Sequence, residues 1–517
     1  MKRTLYFICC IGLILSSLSC RKDFEFEASA GNLEFSKDTV YLDTIFANIG
    51  SSTYNLKVYN NSNEDISIPN VQLQNGESSG YRLNVDGQAG KSFTDVQLLA
   101  KDSLFIFIET TYNTNTTPLS DTEFLYTDKI LFDSGGNLQE VDLVTLVKDA
   151  NFIYPNRDNT TGIIETLTLT IDGVATESEI LGRELLPDEL TFTNEKPYVV
   201  YGYAAVPTGE TLTIDPGARI HFHANSGLLV SEGATINVNG APSTDPELLE
   251  NEVIFEGDRL EPLYSDVPGQ WGTIWLFEGS QNNIINHATI KNATVGVLSD
   301  GNATAATDKL TITNSQIYNI STFGILGRNT SIRAENIVLN NAGQASFGAT
   351  LGGKYNVTHS TIANYWNSSF RQFPALLINN FVVDAENTAF VSDLTEANFS
   401  NCIIYGNDNP ELLIDEIEDA SVVFNFKFTN CLLRFQDNNN FFSSPNYDFD
   451  DATHYENMIF NEDPDFRDTF ENDFIIGDVS AANGQGNTTF ATQVPNDLLG
   501  VSRTTSPDLG AYQHVTF

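Results

Sequence analysis

A polar residue followed three places later by Ile, Leu or Val recurs through the C-terminal half of the chain. The pattern starts at His287, Asn314, Asn336, His359, Asn380, Asn401 and Asn430, with the aliphatic partner at Ile290, Ile317, Leu339, Ile362, Val383, Ile404 and Leu433. Successive starts lie 27, 22, 23, 21, 21 and 29 residues apart. Such a period is too long for a heptad and too short for a unit with a crossover helix. It suits one turn of a solenoid built from strands and turns alone. An Asn at a corner tolerates left-handed backbone and bonds through its amide to the Asn above and below, while the aliphatic residue fills an interior column. The ladder is therefore structural, and a scaffold of this kind hosts many unrelated functions.

The chain begins with Lys2 and Arg3, an apolar run from Leu5 to Leu15 and small residues before Cys20. This is a secretion signal over residues 1–19, too short to remain as a membrane span. Ser17, Leu18 and Ser19 before Cys20 resemble the lipobox of bacterial lipoproteins, with Ser17 in place of the usual Leu. That resemblance implies acylation of Cys20, a membrane contact through the lipid anchor, and a tether over residues 20–32. The sequence from Arg21 to Glu25 resembles the tag that sends some lipoproteins to the outer face. The expected location is thus the outer membrane, lipid-anchored and exposed at the cell surface.

A net charge of −42, from 68 acidic and 26 basic residues, argues against nucleic acid as a partner and against bare electrostatic capture of polyanions. Beyond Cys9, Cys10 and Cys20 the chain has only Cys402 and Cys431, each directly after a ladder Asn. Neighbouring coils would place them about 4.8 Å apart, compatible with a buried thiol stack or a disulfide. A Cys/His metal framework is absent from the sequence.

Residues 33–148 read as an antiparallel β-sandwich. Tyr54, Leu56 and Val58 alternate with polar residues, Leu104 to Ile108 reads as a buried strand, and Lys129 to Phe132 with Val141 to Val144 reads as a hairpin. Residues 149–199 are expected to connect and cap the solenoid, whose ends otherwise expose apolar core and unpaired edges. The regular coils begin with Leu212 to Phe222, Gly227 to Val230 and Gly233 to Val238, where short alternating strands are separated by Gly-centred turns.

The segments Leu212 to Phe222 and Gly269 to Leu276, the ladder, and the ending Asp497 to Gly500, Arg503 and Pro507 to Tyr512 resemble the right-handed parallel β-helix proteins of the pectate-lyase-like fold. The resemblance covers residues 200–517 and implies a C-terminal cap. The sandwich resembles immunoglobulin-like modules of secreted bacterial proteins. The expected fold class is all-β, an N-terminal β-sandwich followed by a right-handed parallel β-helix. The family includes lyases, hydrolases, epimerases and adhesins, so the resemblance implies a scaffold more than a reaction.

A lyase of this fold needs a strong base beside a cation. Lys354, His359 and Arg371 lie within one average coil, near Tyr365 and Trp366, and form the provisional catalytic patch; the same two aromatics are the provisional ligand-stacking residues. The paired carboxylates of a hydrolase are not evident as a set. Acidic residues concentrate between Asp448 and Asp473, ten in 26, without an EF-hand or nonapeptide Ca²⁺ repeat. No metal site or cofactor follows, and Ca²⁺ is the cation that such carboxylates would recruit. Tyr264, Trp271 and Trp275 would stack on sugars if exposed, and at least one of the two tryptophans is expected in the core. The functional expectation is a non-catalytic binding surface for glycan or another surface component. A polysaccharide lyase or related carbohydrate enzyme, and a structural or adhesion module, are the alternatives.

Overall fold

The computed structural model describes residues 25–115, 122–171, 173–245, 248–301 and 307–517. The signal segment and Cys20 lie outside the described residues. The chain divides into two compact units, Met1–Asp149 and Ala150–Phe517.

The first unit is a β-sandwich whose six-stranded and five-stranded sheets share one core containing Val40, Leu56, Ile68, Ile106, Ile130 and Val141. Glu123–Phe132 pairs antiparallel with Gln139–Lys148, setting Phe132 opposite Gln139 across the Gly-containing turn. Two pairs are parallel rather than antiparallel, Glu27–Ala28 with the start of Ile66–Leu73 and Gln139–Lys148 with Thr39–Phe46. The strand expected to be buried at 104–108 is covered on one face only. Ile106 and Ile108 are wholly buried, but Phe105 and Phe107 are 47% and 46% exposed, because successive side chains point to opposite faces.

The second unit is a parallel β-helix. In the regular coils a short strand pairs in parallel with the third strand after it, so that Thr211–Ile214 meets Thr235–Asn239, Arg219–Phe222 meets Val253–Gly257, and Gly227–Val230 meets Ile274–Leu276. Three columns of strands result, called here sheets I, II and III in the order the chain visits them. Sheet I contains Gly227–Val230, sheet II Thr235–Asn239 and sheet III Val253–Gly257. Their inner residues form one continuous apolar core from Ile153 to Tyr455. Stacking starts earlier than residue 200. Asn151–Ile153 already pairs with Tyr198–Val200, and the end of Val174–Glu184 joins sheet I, so the segment 149–199 contributes a first coil.

The corner between sheets II and III carries the ladder. His287, Asn314, Asn336, His359, Asn401 and Asn430 have φ of 45°, 49°, 54°, 47°, 54° and 51° there, and Asn457, at 54°, extends the series. These values lie in the left-handed region that Asn tolerates best among residues with a side chain. Asn336 Nδ2 donates to Asn314 Oδ1 at 2.9 Å, and His359 Nε2 lies 2.8 Å from Asn401 Nδ2. Asn380 does not belong to this ladder. It follows the sheet I strand Leu376–Asn379, and its amide exchanges 3.0 Å bonds with the backbone of Ile417. The coil from His359 to Asn401 spans 42 residues, since it carries an inserted hairpin, Phe381–Val383 with Ala389–Val391. One long coil thus mimics two of ordinary length.

The end of the stack and the end of the chain are different places. Sheet I terminates at Leu412–Asp415, where the Tyr447 hydroxyl accepts from Ile414 N at 2.7 Å and donates to Ile414 O at 2.9 Å. One phenol thereby satisfies a strand edge that would otherwise be left unpaired. The last 50 or so residues do not cap the stack. They run back along the ladder as a strap, burying Phe474, Ile475 and Tyr512 on the outer side of Val338 and Ala363, and Ile476, Ala482 and Leu509 on Ile403 and Leu432. Asn487 N donates to Asn401 Oδ1 at 2.8 Å, and the wholly buried Arg503 donates to Asn336 Oδ1 and to Gly510 O. The strap includes one short helix, α1, Thr488–Gln493.

Candidate functional site

The provisional catalytic residues are not brought together. Lys354 lies on sheet II with Nζ 3.3 Å from Asp308 Oδ1. His359 is wholly buried at the ladder corner, where burial first and then the nearby Arg503 guanidinium hold its imidazole down at about 2. Arg371 follows sheet III, buried against the wholly buried Glu411 with Nη2 2.7 Å from Oε1. Tyr365 sits under the strap beside Phe474, ring centres 6.0 Å apart, and Trp366 is 8% exposed with Nε1 donating to Ser369 Oγ. Neither ring is presented as a sugar platform. Cys402 and Cys431 are buried free thiols.

Trp271 and Trp275, four positions apart, would share a face of one continuous strand; they divide because Trp271, bridged to Ala293, lies before the sheet I strand Ile274–Leu276, with Gly272 and Thr273 between. Trp271 is 1% exposed, stacked on Phe222 at 4.3 Å in the core. Trp275 points outward from sheet I, half-buried, into a groove of about 710 Å³. The outer face of sheet I is built from two rows. Register sets Trp275, Leu298, Leu326, Gly348, Leu377 and Leu413 in line on successive coils. Beside them runs a polar row of Asp300, Arg328 and Thr350, continued by Asn379 and Asp415. Gly348 contributes no side chain to the apolar row, and the Phe323 ring and Leu326 close over it, since a Cβ there would come within 3.1 Å of the one and 3.2 Å of the other. Phe323, Phe373 and the inserted hairpin, through Phe381, Val382 and Val383, line the groove.

The polar row is held rigid. Arg328 Nε and Nη2 donate to the two oxygens of Asp300 at 2.5 and 2.6 Å, and Trp275 Nε1 donates to Asp300 Oδ2 at 2.7 Å. The bond to Asp300 raises the Arg328 guanidinium above its ordinary value, against the opposing effect of burial. A fork of this geometry fixes both side chains, and Asp300 in turn fixes the indole. The result is an aromatic and aliphatic floor beside oriented donors and acceptors, with the Glu278 carboxylate exposed at the rim. Such a groove holds and orients a ligand with one apolar and one polar edge.

A second cluster, on the outer face of sheet III, has more of the chemistry that sequence reading sought. His221, Glu256, Lys291 and Tyr318 occupy neighbouring coils in register. Glu256 Oε2 is 2.9 Å from Lys291 Nζ, and Oε1 is 3.6 Å from His221 Nδ1. Burial opposes ionisation of Glu256, but His221, Lys291 and Arg219 outweigh it and hold the carboxyl below its usual range. Glu252, accepting from Thr289 Oγ1 at 3.1 Å, is pushed up by burial. The signal for both sites was the outward position of each strand, read across coils. The ladder pattern drew attention to the corners instead. Among the described residues no group of three or more His, Cys, Asp or Glu is placed to hold a metal ion.

No protein-family model and no curated protein matches the chain. Among solved structures it is similar to a family 123 glycoside hydrolase from Clostridium perfringens, with 9% identity over 23% of this chain and 30% of that one and a TM-score of 0.16. It is similar to the E. coli chaperone DraB with 15% identity over 30% and 80% of the two chains and a TM-score of 0.17. It is also similar to the catalytic unit of a GH87 α-1,3-glucanase from Streptomyces thermodiastaticus strain HF3-3, with 9% identity over 73% and 78% and a TM-score of 0.19. The chain spans less than a third of the first of these structures. Likenesses this distant carry no argument about what the chain does.

Proposed function

We propose that the chain is a cell-envelope lipoprotein, anchored to the outer membrane through Cys20, whose β-helix binds glycan without cleaving it. The observation that carries this reading is the pairing of an apolar row from Trp275 to Leu413 with a polar row from Asp300 to Asp415 on one sheet face. A pyranose ring has an apolar C–H face and a rim of hydroxyls, and the two rows match those two surfaces. Burial against Trp275 and Phe323 provides the attraction, and Arg328, Asn379 and Glu278 give orientation. Asp300 is occupied by Arg328 and Trp275, which leaves it poorly placed to move protons and supports binding rather than hydrolysis.

The test is retardation in affinity gels on neutral and acidic polysaccharides, with indole emission, reducing ends and unsaturated products followed in parallel. Retardation without products, reduced at least tenfold in Trp275→Ala, is the expected result. Product release would instead favour a carbohydrate-active enzyme. The row of His221, Glu256, Lys291 and Tyr318 supports that second reading, which requires Glu256→Gln and Lys291→Met to abolish turnover with the fold intact. No retardation and no product would leave a structural or adhesion role.

A further inference from the structure

Sheet II has its own outer face, and it differs from that of sheet I. Register places Arg333, Asn356, Asn398 and Lys427 in one row and Glu335, Thr358, Ser400, Thr429 and Glu456 in the next. The strap helix α1 runs beside these rows, leaving a cavity of about 660 Å³ between sheet and helix. A second cavity of about 330 Å³ adjoins it and shares Glu335 and Gln493. The row from Glu335 to Glu456 takes four inter-strand steps, about 19 Å at the usual strand spacing.

The charged groups that line this groove are paired, Asp308 with Lys354 at 3.3 Å and the others at its two ends. Arg333 pairs with Glu335 at 2.5 Å at one end, and Lys427 with Glu456 at 2.7 Å at the other. Between these ends the two rows present the amides of Asn356 and Asn398 and the hydroxyls of Thr358, Ser400 and Thr429, with Phe490 of the helix facing them across the cavity. Asn356 Nδ2 is engaged by Glu396 at 2.9 Å, and Asn398 Nδ2 donates to Asn356 Oδ1 at 3.0 Å. That chain of hydrogen bonds fixes both amides, and both residues line the groove. The hydroxyls of Thr358 and Thr489 and the Gln493 amide line the same space. A trough whose lining charges are already paired, Arg333 with Glu335, Lys427 with Glu456 and Asp308 with Lys354, gains little from an ionic ligand, and a polyanion would also meet the net charge of −42.

We infer that the groove between sheet II and helix α1 is a second binding site, taking an uncharged, extended, polyhydroxylated chain. The inference rests on the proposed glycan-binding role for the choice of ligand class, but on separate residues for the site. Two sites on one rigid solenoid would act on one polymer as a bivalent clamp, raising affinity without new contacts at either site.

The test compares the full chain with Thr358→Tyr, Thr489→Tyr and Trp275→Ala in affinity gels containing dextran, galactomannan, mixed-linkage β-glucan or polygalacturonate. Circular dichroism and melting control for folding, and two different groove-filling variants guard against one that misfolds. Excitation at 295 nm isolates the native indoles. Expected is at least a tenfold loss of retardation on a neutral polymer in both tyrosine variants, with the emission change on ligand addition retained. Retardation unchanged in both, but lost in Trp275→Ala, would overturn the second site and leave the first. Loss in the tyrosine variants alone would uphold the second site and sink the first. Preferential binding of polygalacturonate, relieved by the tyrosine variants, would overturn the uncharged ligand class, and no retardation of the unaltered chain by any neutral polymer would overturn both sites.

Discussion

Replacing Arg371 by Met tests whether this residue belongs to the fold or to chemistry. Its side chain is 2% exposed and that of Glu411 is 0% exposed, with Nη2 and Oε1 2.7 Å apart. Glu411 also accepts from Asp408 N at 2.9 Å and from Ala375 N at 2.7 Å. Removing the guanidinium leaves a buried carboxylate with two backbone donors and no counter-ion, a change that costs about 3–5 kcal/mol. Burial already raises the Glu411 carboxyl above its ordinary value in the folded chain, against the effect of Arg371. Its protonated form is therefore favoured by folding. That contribution is complete below the unfolded value of about 4.3 and is lost as pH rises through the folded value. The defect of Arg371→Met should accordingly be largest near neutral pH and shrink on acidification. Glu411→Gln should cost less, because Asp408, at 3.0 Å and 58% exposed, still faces the cation. The double variant Arg371→Met/Glu411→Leu should recover to within about 1–2 kcal/mol of the unaltered chain. Urea unfolding followed through indole emission measures all three, since Trp366 adjoins the pair and its carbonyl accepts from Asn407 at 2.8 Å. A loss below about 1 kcal/mol in Arg371→Met would refute the reasoning.

His359 is held at about 2 in the folded chain, against about 6.5 unfolded, so the unfolded state binds more protons between these values and stability falls as pH drops below 6.5. The cost reaches about 1.4 kcal/mol at pH 5.5, and His359→Asn, which restores the ladder residue, should remove that portion of the pH dependence of urea unfolding. Tyr447→Phe leaves the buried edge groups of Ile414 unpaired and should cost about 1–3 kcal/mol, with faster amide exchange across Leu412–Asp415 as the local readout. The Cys402 and Cys431 thiols are buried, and burial pushes Cys431 well above the ordinary thiol range. Both should resist a thiol reagent until urea unfolds the coils, and a thiol count of zero after denaturation under non-reducing conditions would contradict the free-thiol assignment.

Local pattern was enough to establish the coils. Asn at a left-handed corner and an aliphatic three places on are short-range requirements, and each coil repeats them, so Asn314, Asn336 and Asn401 announce the stack without any knowledge of distant contacts. The sandwich hairpin from Glu123 to Lys148 was legible for the same reason. Asn380 shows the limit: its spacing from His359 and Asn401 fits the period, yet the inserted hairpin places it on sheet I. Spacing along a chain carries no record of which corner a residue turns.

What lay beyond the sequence depends on contacts made across coils or across the chain. Trp271 and Trp275 differ by four positions, which one continuous strand would put on the same face; the break at Gly272 and Thr273, before the strand Ile274–Leu276, sends one to the core and the other to the groove. Lys354, His359 and Arg371 are close in sequence and far apart in chemistry, because a coil of three sheets points successive residues in three directions. His221, Glu256, Lys291 and Tyr318 are separated by a coil each and meet because parallel stacking aligns the same strand position. The strap was equally hidden, since Arg503 reaches Asn336 across 167 residues. Periodicity specifies the repeating unit; the insertions, the register and the returning C-terminal segment, all set by long-range packing, decide which faces of that unit are open to a ligand.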